Sequence, residues 1–149
     1  METPFRLTVQ YATANKNLPT RPQFRKWVKA TLLQEALIVL RIVDESEGHE
    51  LNSSYRGKQY ATNVLTFVYD DIQPLSGDVV LCATVVENEA QQQQKDLIAH
   101  YAHLTVHGVL HVQGYDHIDE AEATVMEKLE AEILAQLGYD DPYKEITKQ

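Results

Sequence analysis

Three histidines, His107, His111 and His117, stand in the string HGVLHVQGYDH. On a helix, residues four apart project from one face one turn apart, which is the separation two imidazoles need to share a metal ion. Gly114 can take the left-handed backbone that ends such a helix. The chain then turns back through Tyr115 and Asp116 and brings His117 to the same point. Imidazole nitrogens suit zinc, nickel, copper and iron alike, and zinc is the expected occupant, one Zn2+ ion per chain. Cys82 is the only cysteine, so a thiolate cage cannot be built. Three neutral imidazoles leave zinc a fourth position, the arrangement of catalytic rather than structural sites, where a water binds.

The spacing is that of the extended zinc-protease signature H-E-x-x-H-x-x-G-x-x-H, glycine included. One residue departs from it: Gly108 stands where the protease carries its glutamate general base. The ligands are present and the peptidase base is absent. His100 and His103 precede the motif on the same helix and either line the cleft or support the ligands from behind. Asp116 either orients a ligand or caps the helix that follows near Asp119.

These residues need a scaffold, and the rest of the chain supplies one. Phe5 to Tyr11 alternates apolar and polar side chains as a half-buried strand does. Pro19 to Leu33 reads as a helix with Thr20 as cap, Pro22 at the start and a stripe of Phe24, Trp27, Val28, Thr31 and Leu32. Leu37 to Val43 is a β-branched strand, and Asp44 to Ser54 a polar segment with a short helix. Asn63 to Tyr69 is a third strand, Asp71 to Gly77 a turn-forming stretch, and Val79 to Ala83 a fourth strand. Val85 to Gln94 is helical, the run Gln91 to Gln94 being helix surface. Asp96 to Val112 forms a helix that stops at Gly114. Asp119 to Leu137 forms another, closed by Gly138. The fold class is α+β, or mixed α/β, with residues 1–149 forming one domain.

The 149 residues are 44% hydrophobic with a formal net charge of −9. That charge argues against indiscriminate binding of polyanions by the whole molecule. Acid is concentrated in Asp116 to Glu132 and Asp140 to Glu145, whereas Arg21, Arg25, Lys26 and Lys29 cluster early, with Arg56 and Lys58 further on. Either a basic surface opposes an acidic one, or the cations are ordinary scatter. No apolar run is long enough to span a membrane, and the N-terminus METPFRLTVQY lacks the pattern of a secretion signal, so a cytoplasmic location without membrane contact is expected.

Beyond HGVLHVQGYDH, the stretches LNSSYRGKQYATNVLTF at Leu51 to Phe67, SGDVVLC at Ser76 to Cys82, AHYAHLTVHG and LGYDDPY at Leu137 to Tyr143 run nearly the length of the chain. Together they resemble the YbeY family of single-domain, metal-dependent bacterial endoribonucleases. The resemblance implies a small four-stranded mixed sheet packed with helices, with zinc on His107, His111 and His117. It also implies that Arg56 of YRGK is the functional basic residue of the cleft, acting with His107 in catalysis. The implied substrate is single-stranded RNA, a ribosomal RNA precursor. The implied roles are maturation of the 3′ end of 16S rRNA and ribosome quality control, with the ribosome or small-subunit proteins as partners. The chain departs from the family's frequent pattern at Gln59, Ala61 and Asn63, where Asp, Pro and Asp are common, and at Thr66-Phe67-Val68, where Ser-Phe-Pro is common. Two other readings accompany this one: a zinc-dependent peptidase, opposed by Gly108, and a ribosome-assembly binding module with a structural zinc.

Overall fold

The computed structural model describes residues 4–56, 62–69, 74–115 and 119–143, with the side chains of Tyr55 and Arg56 outside that set. In chain order the elements are β1 (Phe5–Ala12), α1 (Arg21–Thr31), β2 (Ala36–Val43), α2 (Glu45–Arg56), β3 (Val64–Tyr69), β4 (Leu75–Cys82), α3 (Ala83–Gln92), α4 (Leu97–Val112) and α5 (Glu120–Gln136). The class is α+β, as expected.

One four-stranded sheet runs in the order β1-β2-β4-β3. β1 pairs parallel with β2 and β2 parallel with β4, while β3 lies antiparallel on β4. Parallel neighbours require a crossover, and α1 supplies it between β1 and β2. Its start is held by Thr20, whose side chain accepts from the Gln23 backbone while Gln23 reaches back to the Thr20 amide, a reciprocal capping box with a proline in the first turn.

Because strand side chains alternate between faces, β2 sends Ala36, Ile38, Leu40 and Ile42 to one side. There they form the main core with Phe24, Trp27 and Val28 of α1, Leu104, Val106, Val109 and Leu110 of α4, and Met126, Ile133 and Leu134 of α5. On the other face Val43, Leu65, Val80 and Cys82 form a smaller cluster packed by Leu51 of α2. Cys82 is a buried free thiol whose pKa is pushed up by desolvation.

The structure shifts several boundaries, α3 starting at Ala83 and α2 reaching Arg56, and one shift matters for packing. β4 begins at Leu75 rather than Val79, so Gly77 lies within a strand instead of a turn. A Cβ on Gly77 would sit 2.6 Å from Cγ1 of Val112, so the glycine lets the end of α4 press onto the sheet. Gly114 and Gly138 do have positive φ, 101° and 91°, and end α4 and α5 as the sequence predicts.

Candidate metal centre

α4 is the element that builds the site. Asp96 caps it by accepting from the Ala99 amide, and it runs for 16 residues to Val112. One face is apolar and buried in the core; His100, His103, His107 and His111 occupy the adjacent face. Their rings follow one another at centroid distances of 6.3, 6.3 and 4.5 Å.

The closest pair is the one the spacing singles out: Nε2 of His111 lies 3.0 Å from Nε2 of His107. The other nitrogen of His107, Nδ1, is hydrogen-bonded to Glu130 Oε1. Glu130 comes from α5, is fully buried, and also meets His103 Nε2 at 3.2 Å and the Tyr143 hydroxyl through Oε2. Burial pushes the Glu130 carboxyl up. The hydrogen bonds from His103 and His107, the charge of His107 and the bond from Tyr143 outweigh that and bring it to about 2. Burial and then the bond to Glu130 push the Tyr143 phenol well above its ordinary value.

These facts decide the tautomers. An ionised carboxylate only accepts, so His107 Nδ1, His103 Nε2 and the Tyr143 hydroxyl are all donors to it. With Nδ1 held by the carboxylate, His107 turns Nε2 toward Nε2 of His111. A carboxylate behind one ring nitrogen is the arrangement that orients a metal-ligating imidazole and raises its basicity.

Among the described residues, two groups of atoms on α4 and α5 could hold an ion. His103, His107 and Glu130 offer ligand atoms lying within 4.8 Å of one another. An ion there would displace the protons that now join both histidines to Glu130. An ion on the pair His107 Nε2 and His111 Nε2 would displace only the proton those two nitrogens share, and would leave Glu130 as the support behind it. The site residues named from the sequence fare differently. His107 and His111 are brought together. His117 and Asp116 lie outside the described residues, and of Arg56 only the backbone is described, as the last residue of α2. Asp119, not assigned a role from the sequence, caps α5 by accepting from the Glu122 amide.

Glu130 was missed in the sequence. Its signal is nonetheless there: Met126, Glu130, Ile133 and Leu134 recur at helical spacing as the buried stripe of α5, and one member is an acid. His100 is likewise a supporting residue. Its Nε2 meets Glu89 Oε1 at 3.0 Å, and the Asn63 amide donates to both oxygens of Glu89, at 3.1 and 3.2 Å. This ties α3 and α4 to the entry of β3.

Gly108 has a packing role that accounts for the departure from the protease signature. It is buried against the sheet, and a Cβ there would lie 2.7 Å from Cγ1 of Val79 and 3.4 Å from Val64. A glutamate side chain at that position would meet β4 and β3 rather than a metal held by His107.

The mixed four-stranded sheet and the histidine face of α4, backed by a buried carboxylate, define a small α+β protein whose described residues include a histidine and carboxylate group able to hold a metal ion. The fold is shared with the solution structure of TM1509 from Thermotoga maritima, at TM-score 0.57 and 23% identity over 95% of this chain and 99% of that one. A family model described as endoribonuclease YbeY matches residues 10–138. Endoribonuclease YbeY of Nitrosomonas europaea is 64% identical over 92% of this chain and 84% of its own length. That of Nitrosospira multiformis is 61% identical over 93% and 81%. The chain belongs to the endoribonuclease YbeY family.

Proposed function

We propose that this chain is a zinc-dependent endoribonuclease that cuts single-stranded ribosomal RNA precursors, using one ion on His107, His111 and His117. The observation that carries the metal is the convergence of two imidazole nitrogens at 3.0 Å, one of them fixed from behind by Glu130. A divalent ion held there supplies a Lewis acid and a water of lowered pKa. The chain's own residues do the rest. Glu130 keeps the His107 proton on Nδ1 and the ring in place; His103 and Tyr143 keep Glu130 in place. Arg56 binds the phosphate bidentately and stabilises the charge that builds on it. It stands eight residues before Val64, whose side chain neighbours Gly108, next to His107.

The RNA substrate follows from the family, as do maturation of the 3′ end of 16S rRNA, ribosome quality control, small-subunit partners and a cytoplasmic location. Among the described residues no helix is long and apolar enough to cross a membrane. The peptidase reading loses its support, because the base it needs cannot be placed at residue 108 without displacing the sheet.

The decisive experiment is elemental analysis after equilibration with zinc, run beside cleavage of a labelled single-stranded RNA. Wild type and His103→Ala should each carry one zinc ion. His111→Ala should carry none and lose cleavage. A zinc-free wild type, or a His111→Ala protein that keeps its ion while His103→Ala loses it, would overturn the assignment. End-group analysis separates the chemistry: a 5′-phosphate product means attack by water, and a 2′,3′-cyclic phosphate means attack by the ribose hydroxyl.

A further inference from the structure

Residues 1–34 contain six lysines and arginines and one acid, whereas the remaining 115 contain seven and 21. Along the chain the basic charge is therefore concentrated in the N-terminal quarter. Four of those six cations, Arg21, Arg25, Lys26 and Lys29, belong to α1, which carries no acidic residue, and all four are exposed. We propose that this face of α1 is a second RNA contact, gripping the phosphate backbone of a long substrate away from the histidines. It rests on the endoribonuclease reading and adds a place on the molecule to it.

Three observations shape the surface. Arg21, Arg25 and Lys29 stand at four-residue intervals, so they form one row with a rise of roughly 6 Å per step. Two of them are preorganised. The Arg25 guanidinium lies 4.6 Å over the Phe5 ring and that of Arg21 lies 4.8 Å over Tyr11, with Arg21 also donating to the Val9 carbonyl at 3.2 Å. Stacked guanidiniums lose little further freedom on meeting a phosphate. Lys26 lies further round the outer side of the helix, opposite the Phe24, Trp27 and Val28 stripe that fixes α1 to the core.

Location sets the ligand's shape. α1 packs on β1, an edge strand, and on α4, where Gln113 donates to the Thr31 carbonyl and accepts from the Leu33 amide. The row from Arg21 to Lys29 is itself roughly 12 Å long. An extended polyanion can lie along it and reach on to the histidines of α4. A second copy offering its acidic end would also satisfy charge, yet it has no stake in the histidines; RNA engages both. A net charge of −9 repels RNA at long range, so a local basic face is what captures it.

The test compares a long unstructured RNA with an oligonucleotide too short to reach from the histidines to the row on α1, measuring binding to the zinc-loaded protein at several salt concentrations, and cleavage separately. Arg25→Gln/Lys26→Gln/Lys29→Gln should weaken long-RNA binding about tenfold or more and reduce the slope of log affinity against log salt by about 2, near 0.7 for each lost phosphate contact. Short-RNA binding and kcat should not change. Arg25→Lys/Lys26→Arg/Lys29→Arg should behave as wild type. Lys26→Glu, which alters no aromatic contact, should shift the slope in the same direction with an unchanged melting temperature. Unchanged long-RNA affinity and slope in the neutral variant would refute the proposal. So would loss of self-association by sedimentation with RNA binding intact, which would make α1 an interface between copies. Binding is read without cleavage, so a wild type that binds long RNA through α1 but cuts nothing sinks the enzymatic reading alone.

Discussion

At the residue scale Glu130 governs the site, because its charge makes His103, His107 and Tyr143 all donors to it. Glu130→Gln puts an amide NH2 against groups that now donate, leaving at least one buried donor unpaired at a cost of about 1–3 kcal/mol. Zinc affinity should fall about 10- to 100-fold as the His107 ring loses its anchor, measurable by competition with a chromogenic chelator. Acidity gives a second prediction. The folded carboxyl sits at about 2 against an ordinary 4.5, so its stabilisation is fully present above about 4.5 and is lost as pH falls toward 2. His100 acts in a higher window. Desolvation depresses it below its ordinary 6.5, only partly offset by Glu89, so the fold binds its proton less readily than the unfolded chain does. Its contribution is complete above about pH 6.5 and declines below. Urea denaturation of the metal-free protein between pH 7.5 and 5 should show that decline, and His100→Gln should flatten it; an equal slope in both proteins would remove His100 as the cause.

At the scale of elements, α4 is positioned by two glycines as much as by its apolar side chains. Gly77 admits Val112, and Gly108 admits Val79. Gly77→Ala forces a methyl into 2.6 Å contact with a β-branched side chain and 3.1 Å from the Phe67 carbonyl oxygen. Overpacking of this kind costs about 1–3 kcal/mol, with no helix propensity gained in return, and chemical denaturation would show it. Gly108→Glu is the sharper trial, since it restores the protease signature letter for letter. It should destabilise strongly by driving a carboxylate into the sheet, and it should hydrolyse no unstructured protein. Detectable zinc-dependent proteolysis by that variant would contradict the packing argument.

Over the whole molecule, the basic face of α1 on a chain of net charge −9 predicts a response opposite to that of a uniformly acidic protein. If net charge governed encounter, adding salt would screen repulsion and speed RNA association. If the basic face governs it, association slows as salt rises, because the Debye length shrinks to about 8 Å at physiological ionic strength. Stopped-flow association with fluorescent RNA between low and physiological salt reads the sign directly.

Several features were legible in the sequence alone because they depend on local spacing. The 107/111 pair, the Thr20 cap, the left-handed glycines at 114 and 138 and the alternating strands are consequences of helical and strand periodicity acting over a few residues. The family's residues likewise run nearly end to end. What periodicity cannot contain is which distant residues meet. Glu130 is 23 residues from His107 and joins it only when α5 docks on α4. Gly77 reads as a turn until Val112 is laid upon it, and Gly108 reads as a missing base until β4 is found beneath it. The three-histidine string thus raises the expectation of a metal by itself, with the ring orientation of His107 and the reason for Gly108 supplied by tertiary packing. Packing decides these because burial in a close-packed interior fixes a carboxylate's charge state and forbids a Cβ, and neither is a property of neighbouring residues in the chain.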